Sequence, residues 1–150
     1  IELDDLLWLD DWKESSNDAF FCKLKLSMDA ASTGWVIDNL YSRSIDMIWS
    51  EVDTVIWLDY SFSVNFYRLT KRTLWRILSR ERLWKNSNNR ENLKMVFSPK
   101  SIFLWMFQKY PQNKKRYLAM MNNPKYQHIR FIHLTSPRKT AAFIKQMSVD

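Results

Sequence analysis

The sequence predicts an α/β domain built on a mainly parallel sheet. Three short apolar segments have the character of strands, at residues 35–37, 55–58 and 128–134. Segments with helical periodicity separate them, and strands that alternate with helices favour parallel pairing in a three-layer arrangement. The segment 55–58 is apolar at every position, which is typical of a strand covered on both faces. Ligands bind such sheets at the carboxyl ends of the strands.

The first third of the chain supplies a strand end, a helix and a strand. Residues 1–4 resemble the end of a strand. Residues 15–29 predict an amphipathic helix, with Ser16 or Asn17 as its N-cap. Its apolar positions are Phe20, Phe21, Leu24 and Met28. Gly34 then breaks the pattern before the strand 35–37, and a short helix at 44–50 leads into the strand 55–58.

A long cationic helix is predicted from residue 63 to about residue 85. Arg68, Arg72 and Arg76 recur every fourth residue and form a positive stripe along it. The apolar side beside this stripe carries Val64, Tyr67, Leu74, Trp75 and Leu78.

The last third begins with a polar loop at 86–90. Two helices are predicted after it, at 99–109 with Ser98 as N-cap and Pro99 in the first turn, and at 112–121. The strand 128–134 follows, and Ser136 with Pro137 opens a terminal helix.

Composition favours one domain over residues 1–150 and an anionic partner. Hydrophobic residues make up 46% of the chain, enough for one sizeable core. The formal net charge is +7, which favours nucleotide phosphates, nucleic acid or a membrane surface. The longest apolar run, 102–107, is too short to cross a bilayer, so no membrane partner is expected. Of the eight tryptophans, those in apolar runs are expected to pack in the core: Trp8, Trp35, Trp57, Trp75 and Trp105.

Cysteine and glycine usage narrows the chemistry. Cys22 is the single cysteine, which excludes an internal disulfide and suits a reducing compartment such as the cytoplasm. We expect it to be a buried small side chain. Gly34 is the single glycine. A phosphate-binding loop of the type G-x-x-x-x-G-K-[ST] requires two, so this chain does not contain one. His128 and His133 are predicted on opposite faces of a strand, which argues against a shared metal.

Four segments together resemble the P-loop nucleoside and nucleotide kinase superfamily, and in particular adenylate-kinase-like topology modulation proteins. They are Ile-Glu-Leu-Asp-Asp-Leu-Leu-Trp at 1–8, Trp-Val-Ile-Asp at 35–38, Val-Ile-Trp-Leu-Asp at 55–59, and the pair Arg68 and Arg72. The resemblance implies a three-layer parallel-sheet P-loop kinase-like domain that lacks its central P-loop strand and first helix. The chain begins where such proteins have already passed their P-loop, so we expect an N-terminally incomplete domain with a helical lid-like region at about 68–98.

The resemblance also implies a nucleotide site that uses ATP and Mg²⁺. Asp38 corresponds to a catalytic carboxylate that orients water on Mg²⁺. Arg68 corresponds to a lid arginine that stacks on the nucleotide base, and Arg72 to a catalytic arginine that clamps phosphate. Arg90 is a further candidate for nucleotide contact. A strand-end cap for Asp38, and a solvated helix face for the arginines, remain open alternatives.

The acceptor side of this site is implied at four residues. Asp4, Asp5, Tyr41 and Arg43 are the substrate-binding candidates, although a solvated acidic pair explains Asp4 and Asp5 equally well. The family has glycine where this chain has Asn39. Asn tolerates left-handed backbone conformations better than most residues, so we expect the turn to survive. Asp59 is expected to be a turn residue.

Two functions are compatible with these features. In the first, the complete protein transfers the γ-phosphoryl group of ATP to a small acceptor such as a nucleotide, and this chain alone is inactive. In the second, the chain is a non-catalytic nucleic-acid-binding module that uses the basic helix 68–85 and exposed tryptophans.

Overall fold

The computed structural model describes residues 1–99 and 101–148, and within them the protein is a mixed α/β chain. The helices are α1 (Leu3–Leu7), α2 (Asn17–Asp29), α3 (Ile45–Trp49), α4 (Phe62–Ser79), α5 (Leu93–Val96), α6 (Ile102–Met121) and α7 (Pro137–Met147), and the strands are β1 (Thr54–Leu58) and β2 (Arg130–Leu134). Short 3₁₀ turns lie at Asp10–Trp12, Ser42–Ser44 and Pro124–Tyr126. The chain divides into two compact units, residues 1–50 with 76–91 and residues 51–75 with the chain from 92 onward.

The first unit is built on the packing of α1 against α2. Helix α2 begins at Asn17, two residues later than expected, because the Ser16 hydroxyl accepts a hydrogen bond from the Ala19 N–H and caps it. The predicted apolar positions Phe20, Leu24 and Met28 are buried, as are Leu3 and Leu7 of α1. Cys22 lies on the outer side of α2 and is exposed, so the expectation that it is buried was wrong.

A minimal parallel strand pair forms at the start of the chain. The Ile1 nitrogen donates to the Val36 carbonyl at 2.6 Å, and the Asp38 N–H donates to the Ile1 carbonyl at 2.9 Å. Leu3 is already helical, so the expected strand 1–4 reduces to two residues. The expectation that 35–37 is a buried strand ending at Asp38 was also wrong, because Val36 is 82% exposed and Asp38 is exposed. One parallel bridge, between Glu2 and Asp38, replaces it.

A loop–loop contact closes the first unit. Asn89 is 2% exposed, accepts a hydrogen bond from the Trp12 N–H at 2.8 Å and donates to the Leu9 carbonyl at 2.8 Å. Trp84, which precedes it, stacks on Trp8 with ring centroids 5.9 Å apart. Residues 84–89 are therefore tied to residues 8–12.

The second unit contains the sheet, in which β1 and β2 pair in parallel from Thr54 opposite Arg130 to Leu58 opposite Leu134. The predicted parallel pairing is confirmed at this level. The expectation that β1 is covered on both faces was wrong, because Ile56 is 48% and Leu58 is 49% exposed. Beyond β2, helix α7 begins at Pro137 with Ser136 as its N-cap, as predicted.

Helix α4 ends at Ser79 because Arg80 adopts a left-handed conformation with φ 53°, six residues before the predicted end. The part of α4 in the second unit packs against α6 through aromatic rings, with the Phe62 and Phe107 centroids 5.1 Å apart. This contact turns Thr73 inward and leaves the predicted apolar side outward. The exposed side chains are Tyr67, Leu74, Trp75 and Leu78.

One continuous helix, α6, replaces the two that were predicted. It begins at Ile102, with the Ser101 hydroxyl accepting from the Phe103 N–H, so Ser98 and Pro99 do not open it. It passes through Pro111, which has no N–H to donate to the Phe107 carbonyl and removes one helical hydrogen bond. Trp105, on this helix, is 52% exposed rather than a core residue. Within the described ranges, no helix combines the length and apolarity needed to span a bilayer.

Candidate functional site

A cavity of about 420 Å³ lies in the second unit beside the carboxyl end of β1. Residues from three elements surround it: the end of β1 with the turn that follows, residues 65–72 of α4, and one face of α6. Its lining residues include Trp57, Asp59, Tyr60, Arg68, Arg72, Trp105, Tyr110, Lys114 and Tyr117. The position matches the edge at which a parallel sheet was expected to bind a ligand.

The structure brings the two predicted lid arginines to this cavity. Arg68 and Arg72 lie one helical turn apart on α4 and both line it. The Arg68 guanidinium carbon is 5.1 Å from the centre of the Tyr60 ring, a cation–π contact. Tyr60 is 5% exposed, and its hydroxyl donates to Thr140 Oγ1 at 2.6 Å. The ring that Arg68 contacts is thus held in place by the hydrogen bond of its own hydroxyl.

Asp59 anchors the charges at the strand end. Its side chain is 6% exposed, and Oδ2 lies 3.2 Å from Lys114 Nζ and 2.9 Å from His133 Nε2. The His133 ring stacks on Trp57 with centroids 4.2 Å apart. The buried Asp59 carboxylate therefore pairs with a half-exposed lysine, a contact that the expected turn role did not include.

The cavity combines positive charge with aromatic surface. Three cationic side chains, Arg68, Arg72 and Lys114, line it together with one carboxylate, Asp59. Guanidinium and ammonium groups bind phosphate oxygens by charge-assisted hydrogen bonds, and aromatic rings stack on planar groups. An anion that also carries a flat ring fits this set of groups.

Three of the four predicted acceptor residues meet in the first unit. The Tyr41 hydroxyl donates to Asp4 Oδ1, which also accepts from Asn39 Nδ2 at 3.1 Å. Burial, followed by the hydrogen bond to Asp4, raises the pKa of Tyr41 well above its usual value, so Tyr41 remains a neutral donor at physiological pH. The Arg43 guanidinium carbon lies 5.5 Å from the Tyr41 ring centre.

Arg43 is itself held by the protein. One guanidinium nitrogen donates to Asn17 Oδ1 at 2.9 Å and another to Glu14 Oε2 at 2.8 Å. The fourth acceptor residue, Asp5, is separate from this cluster and accepts two hydrogen bonds from Asn86. Asp4, Tyr41 and Arg43 therefore form a cluster, and Asp5 lies outside it.

Asp38 and Arg90 lie in the first unit and are exposed, whereas Arg68 and Arg72 lie in the second. In the described part of the chain, no group of three His, Cys, Asp or Glu side chains is placed to hold a metal ion. The exposed Asp38 carboxylate suits binding to a water ligand of a Mg²⁺ ion whose other ligands are nucleotide phosphates. By itself it does not form a metal site.

Sequence reasoning missed much of the cavity lining. Lys114 lies in a run of basic residues at 114–116 that gives no sign of a partner, and Tyr60, Trp105 and Tyr117 lie in apolar or mixed stretches. Among the residues that were missed, only Asp59 had a sequence signal, because it is a carboxylate directly after a strand, and it was expected to be a turn residue. Comparisons of the chain with protein-family models, with curated proteins and with solved structures find no match.

Proposed function

We propose that the chain is a nucleotide-binding domain of the adenylate-kinase-like P-loop type, whose complete form transfers the γ-phosphoryl group of ATP to a small acceptor. The observation that carries the proposal is the cavity beside the carboxyl end of β1. Arg68 and Arg72, the residues that the resemblance assigns to base and phosphate, line it together with aromatic rings. In that mechanism the arginines and Mg²⁺ neutralise the charge that moves with the phosphoryl group.

The strand pairing gives independent support. In the family that the sequence resembles, the P-loop strand lies between the strands that end at Asp38 and Asp59. Here residue 38 pairs with the start of the chain and β1 pairs with β2, and the described residues add no further strand to either. In the β1 register, Thr54, Ile56 and Leu58 direct their backbone groups away from β2. Such an edge can accept one more parallel strand.

The coding sequence ahead of Ile1 is a direct test of this proposal. A loop of the type G-x-x-x-x-G-K-[ST] there supports the kinase, because its backbone amides would surround the phosphates that the arginines contact. If the upstream sequence encodes no such loop, the kinase assignment falls.

A titration of the chain with ATP, monitored through the NMR signals of the backbone amides, tests whether the cavity binds the nucleotide. We expect Arg72→Ala to weaken ATP binding about tenfold or more, since a hydrogen bond to a charged group contributes about 1.5–3 kcal/mol. Lys71→Ala is the matched control, because Lys71 lies on the same helix and is exposed but does not line the cavity. Equal affinities for the two variants would contradict the role of Arg72.

A second function, binding of single-stranded nucleic acid, is favoured by the outer face of α4. Tyr67 and Trp75 are 66% and 64% exposed there, and Lys71 lies between them in sequence. Exposed rings beside cations are the elements that stack bases and contact phosphates. Binding of a labelled oligonucleotide that falls steeply with salt and is lost in Trp75→Ala would support this function over the kinase.

A further inference from the structure

We propose that Lys114 is a phosphate-binding residue of the cavity and that Asp59 positions it. The inference rests on the proposed nucleotide function and extends it, because it adds a third cation that the resemblance did not assign. It also specifies the ligand class as a polyphosphate carried by an aromatic group.

The face that α6 presents to the cavity places Lys114 at its centre. Tyr110, Asn113, Lys114 and Tyr117 all line the cavity, and their spacing of three, four and seven residues is that of one helix face. Lys115, the next residue, is exposed and does not line the cavity. The position of Lys114 therefore follows from the orientation of α6, which the aromatic contacts with α4 set.

The ion pair with Asp59 fixes Lys114 without using all of its donors. The ammonium group has three N–H donors, and the contact with Asp59 Oδ2 at 3.2 Å uses one. Asp59 is itself held by His133 Nε2, which contacts the same oxygen at 2.9 Å, and by its place directly after β1. The Lys114 side chain is 48% exposed, so a ligand can reach its remaining donors.

The charges around the cavity favour a polyanion over a single carboxylate. Arg68 and Arg72 of α4 and Lys114 of α6 are the cationic residues among its lining, and Asp59 is the carboxylate among them. A chain of phosphates presents several oxygens to separate cations at once, which suits donors that come from two different helices. The rings of Trp57, Trp105 and Tyr117 supply the surface for the aromatic group.

The experiment is an NMR titration of the full chain with two probes, inorganic tripolyphosphate and ATP, in the wild type, Lys114→Ala and Lys115→Ala. We expect Lys114→Ala to weaken the binding of both probes about tenfold, while Lys115→Ala leaves the affinities unchanged. In the Asp59→Asn background, Lys114→Ala should cost less than in the wild type, because the side chain has lost its anchor. A positioning contact produces this coupling, and independent effects of the two residues do not.

The outcomes separate this inference from the proposed function. Equal affinities in Lys114→Ala and Lys115→Ala, with ATP binding still weakened in Arg72→Ala, would overturn the role of Lys114 alone. Binding of tripolyphosphate that depends on Lys114, with ATP binding no tighter, would support Lys114 and contradict the nucleotide assignment. Absence of binding for both probes in the wild type would overturn both.

Discussion

Asn39 shows at the residue scale how one side chain preserves a turn. Its φ is 72°, in the left-handed region that favours glycine, and the predicted survival of the turn is confirmed. The side chain contributes directly, because Oδ1 accepts from the Leu40 N–H at 2.7 Å and Nδ2 donates to Asp4. Short polar side chains of this kind offset the steric cost of the left-handed region by local hydrogen bonding.

We predict that Asn39→Ala lowers the free energy of unfolding by about 1–2 kcal/mol, because alanine meets the left-handed penalty and makes neither hydrogen bond. Asn39→Gly should cost less, since glycine adopts this φ freely. Urea unfolding of both variants measures the difference. If the two substitutions cost the same, the side-chain hydrogen bonds alone account for the preference at this position.

At the scale of elements, the segment 84–89 is a structural tie of the first unit. Asp11 and Trp12 both have positive φ, 57° and 58°, and the Asn88 and Asn89 side chains accept hydrogen bonds from their N–H groups. The left-handed conformations of residues 11 and 12 are therefore stabilised by a segment distant in sequence. The run Asn-Ser-Asn-Asn at 86–89, in the predicted polar loop, supplies both of these side chains.

We predict that Asn89→Ala lowers the free energy of unfolding by about 2–4 kcal/mol, because it leaves the Trp12 N–H and the Leu9 carbonyl without this partner in a buried place. Asn86→Ala is the control. It removes a bond to Asp5 that lies at the surface, where water replaces it. Denaturant unfolding followed by tryptophan fluorescence compares them, and a cost for Asn89→Ala no larger than the control would show that the tie contributes little.

For the molecule as a whole, cations and phosphate-binding amides are separate sources of affinity. The chain has a formal net charge of +7 and a cationic cavity, but its single glycine excludes a P-loop. Backbone amides at a helix N-terminus are the groups that surround the phosphates in that loop. Arginine and lysine side chains alone lack this enclosure.

We therefore predict that the chain by itself binds ATP no more tightly than about millimolar, and that a longer form with a P-loop ahead of Ile1 binds it far more tightly and in a Mg²⁺-dependent way. Isothermal titration calorimetry on both proteins measures the difference. Micromolar binding by the chain alone would mean that the cavity needs no P-loop, and would favour a different class of ligand site.

Local features were determined by the sequence itself. The caps at Ser16 and Ser136 and the left-handed turn at Asn39 follow from residues a few positions apart, whose hydrogen bonds form within one turn of chain. The parallel pairing of β1 with β2 also followed, because strands separated by helices pair in this way. The spacing of four residues places Arg68 and Arg72 on one side of a helix, and both line the cavity, while their role toward a nucleotide stays a prediction.

Only the tertiary structure decided which surfaces are buried and which side chains meet. The buried face of α4 depends on aromatic packing against α6, and the periodicity of α4 carries no information about that partner. The predicted apolar side of α4 is therefore largely exposed. Helix α6 continues through Pro111, which local propensity treats as a break. The pair of Asp59 and Lys114 joins a strand end to a distant helix. Such contacts are set by the folding of the whole unit, since no local pattern encodes the distance between two elements.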